Sequence, residues 1–343
     1  MFDPRREPPE TLYLALSTAD VCNFRCRHCH IWRHELRATD VTLGDRARWV
    51  REFAALKPGG HVVLTGGEVT LDLPELLAIA RVCRESELAL YAMSNGLLID
   101  NPTVAGQLVA SGVTHFVVSL DSHLRAIHAY TRGRENAFEE TTGAIRLLVE
   151  ERNRVGAGMR VLVATVLFKE NLALFPAFVR FCRGLGVDHV DFQLLAPTFA
   201  NAHPRRDVFY ERHFWHTKVE KLAAIELFRS ILTPEAVADG FVLKRPEDLE
   251  WIERYVDDPA FTTSQPVCGS HHMNLILDLD GNAALCFNTR QILGDPFIGN
   301  ALASSLGDLW SGGKAAEDRA VMDQCRLSCG TLNCHRRRDT ASP

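Results

Sequence analysis

Six short apolar runs, at 12–17, 61–65, 88–93, 115–120, 159–167 and 189–195, recur along the first 196 residues and leave the chain few ways to fold. Each is built largely of Leu, Val and other apolar residues and has the length of a strand rather than a helix. Between them lie stretches of helical length and periodicity, among them 43–56, 74–83, 136–151 and 172–185. Strands that alternate with helices pair in parallel, because each helix supplies the crossover that parallel neighbours need. The reading is an α/β chain with right-handed crossovers and a parallel sheet.

Directly after the first run stands CNFRCRHC, with Cys22, Cys26 and Cys29 at the spacing C-x3-C-x2-C. Three thiolates hold three irons of a cubane [4Fe–4S] cluster, and the missing fourth ligand leaves one iron open to a substrate or cofactor. Electron-transfer ferredoxin runs close the cluster with a fourth cysteine, whereas here His30, Ile31 and Trp32 follow. Zinc held with His28 and His30 is the other reading of such spacing. The second run ends in Gly66-Gly67-Glu68. Two glycines let a ligand approach the backbone, and the carboxylate suits an ammonium group. Alone, the same tripeptide is a tight strand-to-helix turn.

CNFRCRHC after the first strand and LTGGE after the second together resemble the radical S-adenosylmethionine (SAM) superfamily. The resemblance implies a partial (β/α)6 barrel whose active site lies at the C-terminal ends of the strands, as in full barrels. It implies that Cys22, Cys26 and Cys29 hold the SAM-cleaving cluster and that Gly66, Gly67 and Glu68 meet the methionine end of SAM. Strand ends then supply further contacts: Ser94 and Asn95 from the third strand, Ser119 and Asp121 from the fourth, Leu195 from the sixth. A following arginine, Arg132 or Arg134, is expected on the ribose or carboxylate. Phe24 is expected among the SAM contacts, and His28, where family members usually carry an aromatic, is expected with Leu195 against the adenine. Asn95-Gly96 is also a good turn dipeptide, and Asp121-Ser122 a helix cap.

Beyond residue 196 the strand–helix rhythm stops, which suggests three units: 1–196, a helical and substrate-facing segment at 197–265, and a small α+β unit at 266–343. Helical segments fall near 218–231 and 246–257. The last unit carries Cys268, Cys286, Cys325, Cys329 and Cys334. Between the first two, MNLILDLDGNAALC reads as a hairpin turning at Asp280-Gly281. An Ile298-Gly299-Asn300 segment and a helix running to about residue 323 follow. This order resembles the SPASM/twitch extension of radical SAM enzymes and implies one auxiliary [4Fe–4S] cluster on Cys268 and Cys286, completed by two of the last three cysteines. Structural zinc is the alternative. Cys83 and Cys182 fall in helical apolar patterns and read as packing residues.

With 343 residues and 46% hydrophobic content, the chain buries a core large enough for a catalytic domain plus an appendage. A net charge of −5 and a pI near 6.3 argue against a nucleic-acid surface. There is no apolar stretch of ~18 residues and no signal-peptide core in MFDPRREPPE, so neither membrane nor secretion is expected. Ten cysteines then point to metal rather than disulfides in a cytoplasmic setting.

The resemblance implies a radical SAM oxidoreductase fed by a flavodoxin- or ferredoxin-type donor. Reductive cleavage of SAM gives a 5′-deoxyadenosyl radical that takes a hydrogen atom from substrate, with dehydrogenation, epimerisation, dehydration or cross-linking as outcomes. Only 11 residues precede Leu12, which leaves no room there for a leader-peptide module and tilts the substrate towards a small polar molecule of sugar, aminocyclitol or nucleoside type. His203, Arg205, Arg206, Asp207, His213 and His216 suit such hydroxyl-rich groups. A peptide substrate and a non-catalytic iron–sulfur electron carrier are the competing readings.

Overall fold

The computed structural model describes residues 3–196, 208–264 and 268–327. Six parallel strands form its centre: β1 (Thr11–Ala15), β2 (His61–Thr65), β3 (Ala89–Ser94), β4 (His115–Ser119), β5 (Arg160–Leu167) and β6 (His189–Leu194), each paired with the next. The sheet is open, as a partial barrel requires. Alternate positions such as Leu12, Leu14, Val62, Leu64, Leu90, Phe116, Val118, Val161, Val163 and Val190 are fully buried in one core with Trp49, Phe53, Leu76 and Ile79 of the covering helices. Tyr13, Val63, Tyr91 and Val117, on the opposite face, are only half-buried.

The helices start where the sequence supplies caps. In α1 (Leu43–Leu56), Thr42 and Asp45 form a reciprocal capping box; α2 (Leu73–Glu85) begins on Asp72, and α3 (Pro102–Ser111) on Asn101 with proline next to the cap. After β4 come α4 (Arg125–Arg132) and α5 (Ala137–Val155), and a helix at Phe175–Leu185 leads to β6. Strand and helix limits differ from the sequence reading by a few residues, because the caps rather than the apolar periodicity set them.

One buried group ties the sheet to the loop after β1. Arg46 of α1 donates to the carbonyls of Ala15 and Val41 and pairs with Glu75 of α2 at 3.2 Å, and Glu75 accepts from both the backbone and the hydroxyl of Ser17. Three elements thereby hold the end of β1.

The C-terminal hairpin does not stand apart from the barrel sheet. β7 (Asn274–Leu277) runs parallel to β1, pairing Thr11 with Asn274 and Leu14 with Leu277. β8 (Asn282–Ala284) and β9 (Gly299–Asn300) then add antiparallel, giving the order β6-β5-β4-β3-β2-β1-β7-β8-β9. The turn is the expected one. Asp278 accepts from the backbones of Asp280 and Asn282, and Gly281 takes φ +78, the left-handed region open to glycine. At the other edge, residues 241–243 run along β6, with Val190 donating to Phe241 and Leu243 donating to Val190. The segment after residue 196 therefore covers a sheet edge as well as forming helices at Lys218–Ile231 and Leu249–Asp257.

Candidate active site

The loop that follows β1 is shaped by the loop that follows β2. Gly67 N donates to Ala19 O at 2.5 Å and Glu68 N to Val21 O at 3.0 Å. A Cβ on Gly67 would lie 1.7 Å from Val21 O, and one on Gly66, where φ is +120, would lie 2.4 Å from Ala19 Cα. These glycines let the cysteine-bearing loop lie directly on the turn, so the close approach they permit is by the protein's own backbone. The Glu68 carboxylate is buried and already engaged. Its oxygens accept from Thr70 N and Oγ1, from Ser94 Oγ at 2.7 Å and from Asn95 N at 2.7 Å. Glu68 thus fixes the end of β3 rather than presenting an open carboxylate.

Cys22, Cys26 and Cys29 gather around Phe24, which is 1% exposed, with Leu97 and Ala137 completing an apolar patch apart from the main core. Two polar side chains reach the sulfurs. Asn95 Nδ2 lies 3.8 Å from Cys22 Sγ and also donates to Asn23 Oδ1. Arg132 Nη1 lies 3.9 Å from Cys26 Sγ. The Phe24 backbone N–H also bonds Cys22. Burial pushes the Cys26 thiol up to about 12 although Arg132 opposes it, and burial likewise raises Cys22. Left alone, these groups keep their protons. A thiolate set here needs a cation to replace them, and the donors aimed at sulfur are those that a thiolate cluster uses. Three convergent thiols, apolar walls and one buried guanidinium fit a three-cysteine [4Fe–4S] site.

Arg132 owes its place to Asp121. The two pair through Nη2–Oδ1 at 2.8 Å and Nε–Oδ2 at 2.7 Å, both side chains almost wholly buried. Burial works to raise the Asp121 carboxyl, and the adjacent Arg132 guanidinium overrides this and holds it below its ordinary value. Asp121 N donates to His128 Nδ1, and burial drives His128 down to about 3, so its imidazole stays neutral. Arg134, the other arginine the sequence offered, is exposed and pairs with Glu140. Ser119 ends β4 half-buried. Leu195 is buried, its carbonyl accepting from Tyr255. His28 lies 6.0 Å from the ring of Phe209.

The second group of cysteines uses the hairpin. Cys268 precedes β7, Cys286 follows β8, and Cys325 follows the helix Gly313–Met322, held there by Thr263 N donating to Arg326 O at 3.0 Å. Each sulfur accepts the backbone N–H two residues on: Ser270 for Cys268 at 3.4 Å, Asn288 for Cys286 at 3.3 Å, Leu327 for Cys325. Burial raises Cys325, and Cys268 adds to the rise by its proximity. Cys329, Cys334, His203, Arg205, Arg206 and Asp207 lie outside the described residues. His213 is buried, bonded to Glu170 at 2.8 Å and to Tyr130 OH at 3.0 Å. Cys83 and Cys182 are fully buried in helices, their thiols raised by desolvation alone.

Comparison with known proteins bears on the first group. A family model described as the radical SAM superfamily matches residues 16–182.

Residues 16–182 are a radical SAM domain.

The radical SAM family uses a [4Fe–4S] cluster and SAM, and the match spans the three cysteines, the GGE turn, Asn95, Asp121 and Arg132. A probable GTP 3′,8-cyclase of Metallosphaera sedula is 29% identical over 208 residues, 57% of this chain and 59% of that protein. An AdoMet-dependent heme synthase of Oleidesulfovibrio alaskensis is 26% identical over 194 residues, 55% of this chain and 47% of that one. The GTP 3′,8-cyclase of Synechococcus elongatus is 34% identical over 174 residues, 49% and 51%. The chain thus spans about half the length of the curated relatives it matches. Solved structures extend the likeness of fold over nearly the whole chain. Streptococcus suis SuiB bound to S-adenosylmethionine superposes with TM-score 0.68 at 15% identity, over 93% of this chain and 72% of that one. Native anSMEcpe with bound AdoMet and Cp18Cys peptide gives 0.63 at 15%, over 93% and 84%.

Sequence reasoning did not find three features of the site. Trp32 Nε1 donates to the Cys26 carbonyl at 3.0 Å. His128 carries the Asp121 backbone. His271 and His272 both place Nε2 on Asp323 Oδ1, at 3.1 and 2.9 Å, beside Cys325. The adjacency of His271 and His272 is the one local signal for the last, and nothing in the pattern names the partner.

Proposed function

We propose that this chain is a radical SAM enzyme acting on a small polar substrate, with an auxiliary [4Fe–4S] cluster in its C-terminal part. The supporting observation is the three-thiol site at Cys22, Cys26 and Cys29, with Asn95 and Arg132 on its sulfurs. Loaded with a [4Fe–4S] cluster and SAM, such a site supplies a 5′-deoxyadenosyl radical by one-electron reduction, and that radical takes a hydrogen atom from a substrate C–H bond. The protein's share is placement and shielding. Phe24, Leu97 and Ala137 keep water from the thiols, and Arg132, fixed by Asp121, offsets negative charge at Cys26. Ser94, Asn95, Ser119 and Asp121 stand at strand ends on the side where SAM would lie. Cys268, Cys286 and Cys325, each with a backbone N–H on sulfur, would hold the auxiliary cluster with a further ligand from Cys329 or Cys334.

The small-molecule reading is supported by relatives whose names specify GTP and heme chemistry. A peptide substrate is the second reading, because the fold likeness includes SuiB bound to the precursor peptide SuiA. The test is anaerobic turnover with panels of nucleosides, sugars and peptides, each deuterated at single carbons. Deuterium in 5′-deoxyadenosine names the substrate class and the carbon attacked. No methionine or 5′-deoxyadenosine from SAM under strong reductant would overturn the proposal.

A further inference from the structure

His271 and His272 follow one another in the single helical turn Ser270–Met273, three and four residues after Cys268. Consecutive side chains in such a turn ordinarily point to different sides of it. Here they converge: each places Nε2 on Oδ1 of Asp323, at 3.1 and 2.9 Å, with ring centroids 4.2 Å apart. Asp323 caps the helix Gly313–Met322 two residues before Cys325, so the histidines reach 52 and 51 positions along the chain to meet it. The same helix holds the histidine backbone from behind. Arg319, buried in it, donates Nε to the His271 carbonyl at 3.0 Å and Nη1 to the Trp310 carbonyl at 2.8 Å. His271 is 1% exposed, whereas His272 and Asp323 are half-buried, so one side of the group is open to solvent.

Two imidazole nitrogens and a carboxylate oxygen are a donor set for a borderline divalent cation. The ligand atoms of the three side chains lie within 4.8 Å of one another. In a tetrahedral zinc site, bonds of about 2.0–2.1 Å set neighbouring ligand atoms about 3.3 Å apart. The observed 3.1 and 2.9 Å therefore need only a small opening to admit an ion. We propose that His271, His272 and Asp323 form a binding site for one zinc ion, separate from both groups of cysteines, which fastens the turn after Cys268 to the end of the helix before Cys325. Zinc is selected over calcium and magnesium because those ions take oxygen ligands, and over iron(II) by the affinity order of such sites. Each imidazole binds through Nε2 with its proton on Nδ1, and a water from the open side supplies the fourth ligand. Because the three ligands come from the two segments that carry Cys268 and Cys325, the ion braces both cysteines while using neither sulfur. The site does not depend on the radical SAM reading, since zinc needs neither SAM nor a cluster to bind there.

The test titrates the iron-loaded full chain, carrying no histidine tag, with zinc alone under anaerobic conditions. The expected result is uptake of about one zinc per chain in addition to the iron, with an affinity that falls at least about tenfold in His272→Gln with Asp323→Asn, since even partners one shell beyond a metal's ligands carry that much. Both replacements are polar and of similar size, so iron content should stay at the parent's level. His272→Gln alone should give a smaller loss in the same direction, and it keeps the test decisive if the double variant does not fold. X-ray absorption at the zinc edge should show only nitrogen and oxygen neighbours, at about 2.0–2.1 Å. Sulfur at about 2.3 Å would place the zinc on the cysteines and overturn the proposal. No zinc uptake by the parent, or parental affinity in the variants, would overturn it as well. Absence of 5′-deoxyadenosine from the same samples would end the radical SAM reading and leave the zinc result standing, so the two failures are told apart.

Discussion

The two groups of cysteines flank the same strand yet are built differently. Cys22, Cys26 and Cys29 follow β1 and receive side chains from other strand–helix units, Asn95 at one sulfur and Arg132 at another. Cys268, Cys286 and Cys325 surround the β7–β8 hairpin and receive backbone N–H groups from their own local turns. The first site carries a fixed cation within reach of sulfur; at the second, each described sulfur accepts a backbone N–H. Nearby charge and hydrogen bonds to sulfur set the potential of an iron–sulfur centre. The first arrangement is suited to gathering charged ligands beside a metal, and the second to holding a centre with backbone N–H groups on its sulfurs.

The largest effect that separates the sites comes from emptying the first. Replacing Cys22, Cys26 and Cys29 with alanine should abolish 5′-deoxyadenosine formation and lower iron from about eight to about four per chain, one cubane's worth. Undiminished SAM cleavage by this variant would end the comparison. Next, Cys268→Ala with Cys286→Ala should also halve the iron, but SAM cleavage should persist while substrate conversion falls further. An iron content near four in the parent, or one zinc per chain held on these sulfurs, would mean that the second group holds no such cluster.

A smaller effect is expected at the turn that seats the first site. Gly67→Val places atoms where Val21 O already lies, so thermal unfolding should reveal a loss of about 2–4 kcal/mol, with SAM binding weakened more than in a control such as Gly143→Ala. Parental stability and affinity would mean that the loop moves aside freely. The smallest effect belongs to the cysteines outside both groups. Cys83→Ala or Cys182→Ala should leave iron unchanged and lower stability by only about 1 kcal/mol, the scale of removing one buried sulfur.

Much of this was legible in the sequence because it is local. Short apolar runs, Asp-Gly at a hairpin turn and closely spaced cysteines each declare themselves within a dozen residues. Asp121 and Arg132 were also legible, eleven positions apart on a strand end and the following helix. What the sequence hid is long-range. Nothing near Asn274 announces that β7 pairs with Thr11, and nothing in GGE tells whether its glycines admit a ligand or the backbone of residues 19–21. Glu68 read as an open carboxylate because its three partners, Thr70, Ser94 and Asn95, come partly from another strand.

The β1–β7 pairing also has a bearing on biogenesis. Thr11 leaves the ribosome about 260 residues before Asn274, an interval of roughly 13 to 50 s at ordinary synthesis rates of about 5–20 residues per second. Throughout it, β2 to β6 can assemble on one side of β1 while the other side remains a bare strand edge, the kind of surface that seeds aggregation. A metal bound early at Cys22, Cys26 and Cys29 would stiffen the loop that follows that edge.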